Sequence, residues 1–288
     1  MSITTHCMTV NLSISAWTGQ RIDKDATRRV TEDAGAASDA ARVNKHLVPK
    51  ESLKAIVAAL GAVRTHFYTN TLPWRDNGDR LLTRKRFTTF MQEHERLRQT
   101  FDDAVSDFLT TTYPKAREQA AFRMGTMFNP DDYPSTDTLR RRFAVNLEID
   151  AVSEASDFRV QLDEAAQQKV RDDIEAAVNN RLTKAMHDVW SRLSTAVENV
   201  AVRLSDEDAI FRDSLIGNLI EVVDLLPDLN ITEDPELERL RLEAKNKLTA
   251  HTPDALRADK TVRAQVASEA QSLLADLGGI MRAFGNNS

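Results

Sequence analysis

The chain has 288 residues, 41% of them hydrophobic, with only nine Gly and eight Pro and a formal net charge of −6. It is long enough for one large or two modest domains with a real core, and the scarcity of Gly and Pro argues against many short strands and for long helices. The acidic balance excludes a whole-protein nucleic-acid binder of the histone kind but leaves room for a local basic face, and the single Cys7 excludes an intramolecular disulfide or a cysteine-built zinc site.

From Thr9 to Trp17 the apolar Val10, Leu12, Ile14 and Ala16 alternate with Asn11, Ser13 and Ser15, the period of a half-buried strand. Residues 23–46 are rich in Ala, Asp and Arg without a strong apolar stripe and read as a poorly packed helix or a linker, so 1–46 is taken as an N-terminal strand and linker. A first helical segment follows over 47–142. Pro49 suits the first turn of a helix bearing Leu53, Ile56, Val57, Leu60 and Val63. After Leu72-Pro73-Trp74 and the turn-prone Asp76-Asn77-Gly78-Asp79, a long helix is predicted over 80–113. Its Phe87, Phe90, His94, Leu97, Phe101, Ala104 and Phe108 recur at alternating steps of three and four, which is coiled-coil spacing. A shorter helix from about Pro114 to Gly125 precedes Phe128-Asn129-Pro130-Asp131-Asp132-Tyr133-Pro134-Ser135, whose two prolines forbid regular helix.

Val145, Leu147, Ile149 and Ala151 alternate with polar residues, as do Phe158, Val160 and Leu162, so 143–162 is predicted to be a β-hairpin that joins the N-terminal strand in a small antiparallel sheet. A second helical segment covers 163–288. Asp163 is the expected N-cap of its longest helix, 164–204, where Val170, Ile174, Val178, Leu182, Met186, Val189, Leu193, Val197, Val200 and Leu204 form one stripe. At about 1.5 Å per residue this helix is roughly 60 Å long, and the 80–113 helix is its natural neighbour. Ser205 and Asp208 resemble a capping box opening a helix that Pro227 closes. Asp234-Pro235 and Thr252-Pro253 open helices near 235–250 and 253–284, the last weakened by Gly278-Gly279. The fold class is mainly α: a long-helix bundle or coiled-coil-like hairpin with a small antiparallel sheet.

The chain carries no Gly-x-Gly-x-x-Gly, no Walker-type phosphate loop, no Gly-x-Ser-x-Gly elbow and no His-Glu-x-x-His, so no catalytic residue, cofactor or metal is expected. His94, on the heptad face, reads as a polar residue that sets register before it reads as a ligand or base. Two basic clusters remain: Arg80, Arg84, Lys85 and Arg86, and Arg140, Arg141 and Arg142, with Phe87, Phe90 and Phe143 nearby. Cations interleaved with aromatics suit phosphates and bases, but equally a partner protein. Residues 206–238 hold eleven acidic residues and one cation, Arg212. Residues 1–142 hold 22 basic against 17 acidic residues and 143–288 hold 16 against 27, so the halves are complementary within a chain or between copies. No apolar run approaches a membrane span and no signal peptide is evident, which points to a reducing cytoplasm and no membrane partner.

Ser15-Ala16-Trp17-Thr18-Gly19, Leu72-Pro73-Trp74, the Phe128 to Ser135 phrase and Asp157-Phe158-Arg159-Val160 resemble an uncharacterised family of phage and prophage proteins of unknown function. The resemblance covers roughly residues 10–200 and rests on turns and packing positions. Its members are often encoded near MoxR-type AAA+ ATPases and von Willebrand factor A proteins. That implies a subunit or client of such machinery in a bacterial cytoplasm and supplies no catalytic residue. The expected function is therefore a non-enzymatic interaction or scaffold protein with a protein partner or a second copy of itself, with nucleic-acid binding through Arg84 and Arg141 as the alternative.

Overall fold

Caps and prolines set most element boundaries in the computed structural model, which describes residues 3–157, 160, 163–206 and 208–285. In chain order the elements are β1 (Cys7–Ser15), β2 (Gln20–Ile22), α1 (Lys24–Asp33), β3 (Asn44–His46), α2 (Lys54–Asn70), β4 (Leu72–Pro73), β5 (Arg80–Thr83) and α3 (Arg84–Asp107). There follow α4 (Tyr113–Glu118), α5 (Ala120–Met124), α6 (Thr136–Arg140), β6 (Ala144–Ala151), α7 (Glu164–Ser205), α8 (Ser214–Leu229), α9 (Pro235–Leu248), α10 (Pro253–Ala258) and α11 (Lys260–Gly285). The protein is mainly helical, as its composition requires.

The four-stranded sheet has the order β4-β5-β1-β6, and β1 runs antiparallel to β5 with Cys7 opposite Thr83 and Val10 opposite Arg80. The expected strands at 9–17 and 145–151 are thus present as β1 and β6. The second arm of the predicted hairpin, 158–162, lies outside the described residues apart from Val160. Strand β5 removes residues 80–83 from the predicted 80–113 helix. Adjacent Leu81 and Leu82 point to opposite faces of a strand, and both are fully buried, which a helix face could not arrange. At its other end α3 runs into a π-helical turn over Phe108–Thr112, where the Tyr113 amide donates to the Phe108 carbonyl. The wider turn shifts the hydrogen-bond register just ahead of Pro114, which has no amide to donate, and the helical path continues into α4.

Residues 20–46 are not a bare linker. Asp23 caps α1 by accepting from the Ala26 amide, and β2 pairs antiparallel with β3 so that Arg21 faces Lys45. Asp163 caps α7 as predicted, accepting from the Ala166 amide at 2.9 Å. Ser205, expected to open a helix, instead ends α7: its hydroxyl donates to the Ala201 carbonyl at 2.6 Å. The next helix starts at Ser214, and Pro227 sits inside its last turn instead of closing it. The carbonyl that Pro227 leaves without a partner, Val223 O, accepts from Arg241 Nη1 at 3.0 Å. Asp234 and Thr252 cap α9 and α10, but Asp259 interrupts the predicted 253–284 helix, and α11 then runs through Gly278 and Gly279 without stopping.

The chain divides into two compact units. The first comprises Met1–Asn11, Asn70–Thr88 and Glu148–Ser288, and the second Leu12–Thr69 and Thr89–Leu147. In the first unit, α7 packs along α11 and α8, with α9 and β4 completing the surround. Trp190, Leu193, Val197, Val200 and Leu204 of α7 are buried there with Leu219, Val223, Leu240 and Leu273. The second unit closes around Trp17, Leu60, Phe101, Phe108, Tyr113 and Phe143. Trp17 lies edge-on to Tyr113 at 5.7 Å and Phe143 edge-on to Phe108 at 6.0 Å. Gly19 is held at φ +68° beneath this core, where a Cβ would lie 3.0 Å from Val48 and 3.1 Å from Leu53.

Candidate functional site

The first basic cluster splits by environment within the first unit. Arg80 Nε donates to Thr71 Oγ1 at 2.7 Å and its Nη2 to the Thr71 carbonyl at 2.9 Å, tying down the end of α2. Arg86 bonds to Asn70 Oδ1 and approaches Asp228 at 3.5 Å. Both guanidiniums are therefore engaged in holding the fold. Arg84 and Lys85 are exposed, with Lys85 Nζ only 3.5 Å from the Pro227 carbonyl. The second cluster belongs to the second unit: Arg140, Arg141 and Arg142 are exposed at the end of α6. The aromatics beside these cations serve the interior, since Phe90 is 0% and Phe143 8% exposed and Phe87 is half-buried.

A buried ionic group in the second unit had no signature in the sequence. Lys45 Nζ lies against Asp132 Oδ2 and 3.5 Å from Asp23 Oδ2, and donates to the Met127 carbonyl at 3.2 Å. Arg21, half-exposed, covers Asp132 at 3.0 Å. Burial alone would lower the Lys45 pKa, but the hydrogen bond and charge of Asp132, with the charge of Asp23, hold it above its ordinary value. The Ala26 amide bond, aided by Lys45, holds the Asp23 carboxyl below its ordinary range. The group lies between β2, the cap of α1, β3 and the Pro130–Asp132 turn, so it ties together segments from 21 to 132. It is visible in sequence only as scattered charges, because its members come from separate strands, a helix cap and a turn.

His94 is 4% exposed, parallel to Phe90 at 5.9 Å, and its Nδ1 has no hydrogen-bond partner. Burial, then the nearby His66, lowers its pKa, so it is neutral at pH 7. His66 Nε2 donates to the Phe90 carbonyl at 3.0 Å. The pair is an aromatic stack in the core, and among the described residues no carboxylate hydrogen-bonds to His94. Burial pushes the Cys7 thiol up to about 11, which suppresses the reactive thiolate. Among the described residues no group of three or more His, Cys, Asp or Glu is arranged to hold a metal ion.

The first unit carries open clefts. One of about 480 Å³ lies beside the N-terminal half of α7, lined by Arg75, Glu154, Asp157, Val170, Ile174 and Arg181. A second, of about 390 Å³, shares Arg75 and Arg181 and adds Trp74, Asp76 and Lys184, with the Arg181 guanidinium 5.8 Å from the Trp74 ring centre. A third lies between α7 and α8. No helix of the described residues is long and apolar enough to cross a membrane. Of the residues that carry the phage-family resemblance, Trp17, Leu72 and Trp74 are buried, Asn129 caps the Pro130–Asp132 turn and Ser135 caps α6, while Phe158 and Arg159 lie outside the described residues. No protein-family model, curated protein or solved structure matches the chain.

Proposed function

We propose that this protein is a non-enzymatic interaction or scaffold protein that self-assembles through α7. The observation that carries this reading is the contrast between the halves of that helix. From Met186 onward the predicted stripe is buried, but among the described residues of 164–184 none is fully buried, although Val170, Ile174, Val178 and Leu182 continue the same stripe half-covered. Half-covered apolar positions along about three and a half turns gain from association at roughly 25 cal/mol per Å² removed from water. The opposite charge balance of the two halves of the chain favours a second copy as the occupant, through head-to-tail contacts that close into a ring or extend. The phage-family resemblance adds a setting: a subunit or client of a MoxR-type AAA+ machine in a bacterial cytoplasm.

Light scattering after size exclusion, at low and high salt, tests self-assembly. The expected result is an assembly larger than the monomer that Ile174→Glu with Val178→Glu dissociates without lowering the melting temperature, and that Arg84→Glu with Lys85→Glu weakens at low salt. A monomer under all conditions sinks the self-assembly reading. The exposure of Arg84, Lys85, Arg140, Arg141 and Arg142 favours nucleic-acid binding as the second reading. It requires retention on DNA that falls steeply with salt, and no retention at low salt removes it.

A further inference from the structure

The third cleft of the first unit, about 420 Å³, is lined by the C-terminal half of α7, the start of α8 and the loop joining them. Its cations are Arg203 and Arg212, its neutral polar groups include Asn199 and Asn218, and Leu215 and Leu219 supply apolar wall. Among the described residues no carboxylate lines it. That is unexpected from composition, because residues 206–238 hold eleven acidic residues and Arg212 is their single cation. The fold thus turns the one cation of an acidic segment into a cleft and places a second from α7 in the same lining. Neither guanidinium has an ion-pair partner among the described residues, whereas the neighbouring Arg257 is paired with Asp213 and Asp254.

The wall formed by the joining loop is built firmly. Arg263 donates to the carbonyls of Arg203, Leu204, Asp206 and Ala209, the last at 2.9 Å. The Phe211 ring lies 5.2 Å from the guanidiniums of both Arg257 and Arg263. These contacts fix the backbone on either side of Ile210, which stands 93% exposed among the lining residues. An apolar residue held at full exposure beside two unpaired cations and an apolar wall is the chemistry of a site for a molecule with one charged and one greasy end.

We propose that this cleft binds a small amphiphilic anion, its carboxylate or phosphate head between Arg203 and Arg212 and its apolar body on Leu215, Leu219 and Ile210. The volume falls within the range of about 300–1,000 Å³ usual for small-molecule sites. Calorimetric titration of the full chain with octanoate, octyl phosphate, octanol and inorganic phosphate tests it. Octanoate or octyl phosphate is expected to bind at least tenfold more tightly than octanol or inorganic phosphate, and the preference between the two identifies a carboxylic acid or a phosphate monoester as the head group. Arg203→Gln with Arg212→Gln is expected to weaken that binding at least tenfold, and Arg212→Lys to weaken it less. Both positions are exposed, so circular dichroism and the melting temperature should not change. Equal binding of octanol, binding unaltered by the double substitution, or no binding of either amphiphile would overturn the proposal.

Discussion

The two compact units bury charge in different ways. In the second, an ammonium sits between two carboxylates: Lys45 faces Asp132 and Asp23, all three under 10% exposed. In the first, buried guanidiniums face mainly carbonyls. Arg263 takes up four at and beyond the end of α7, and Arg241 fills the gap that Pro227 opens in α8 while pairing with Glu238. The chemistry explains the assignment. A guanidinium has five donors in a planar fork and never loses its charge, so one side chain can satisfy several carbonyls of a broken helix. An ammonium is a point charge, and its burial is balanced by the carboxylates it neutralises. The first unit therefore uses arginine to repair interrupted helices, and the second uses a lysine to gather loops and short strands.

The largest effect expected from breaking this contrast is Lys45→Met, which leaves Asp23 buried without its cation and Asp132 with only the half-exposed Arg21, and should destabilise by about 3 kcal/mol. Asp132→Asn in the same chain should restore part of the loss, and urea unfolding of the four-member cycle measures it. The cluster also sets an acid limit. The folded Asp23 pKa lies below its unfolded value of 3.8, so its contribution is complete above that value and is lost as pH falls through the folded pKa. Lys45, raised in the folded state, contributes below 10.5 and loses its contribution only in stronger alkali.

Arg263→Lys comes next. One ammonium cannot reach four carbonyls spread over the Arg203 to Ala209 segment, so a loss of about 2 kcal/mol is expected despite the conserved charge. A wild-type melting temperature would show that charge alone suffices. The repair of α8 is tested by Pro227→Ala, which restores an amide able to donate to Val223. Loss of Arg241 should then cost about 1 kcal/mol less in the Pro227→Ala background than in the native chain. His94→Leu in the second unit should have the smallest effect, a gain of up to about 1 kcal/mol from removing an unpartnered polar atom. Because the folded His94 pKa is depressed, its burial stabilises less as pH falls through 6.5, so the variant should flatten the melting temperature between pH 7 and pH 5. An unchanged pH dependence would assign that sensitivity elsewhere.

The parts of the fold legible in the sequence are those specified within a few residues. Asp163, Asp234 and Thr252 announce helix starts by side chains that bond to an amide two or three residues on. The stripe from Met186 to Leu204 and the heptad face from Phe90 to Phe108 were legible because a helix repeats its buried face every three or four residues. Strands β2, β3 and β5 were not, since three or four residues are too few for an alternation to register. Ser205 misled because a hydroxyl can donate back to a carbonyl four residues earlier as readily as it can cap a new helix.

The same division holds for the candidate sites. Both basic clusters stand out in the sequence as runs of Arg and Lys, but only the packing separates Arg84 and Lys85, which are exposed, from Arg80 and Arg86, which hold Thr71 and Asn70. Nothing near Arg203 or Arg212 in sequence announces that both line one cleft, and Lys45 gives no hint of Asp132. By itself the sequence determined the helical class, the long helix from Glu164 and the caps that open the later helices, because hydrogen bonds and periodicity act over one or two turns. Tertiary structure alone decided which helices flank α7, which cations are consumed by carbonyls and which remain available, because those depend on residues that meet only once the chain has folded.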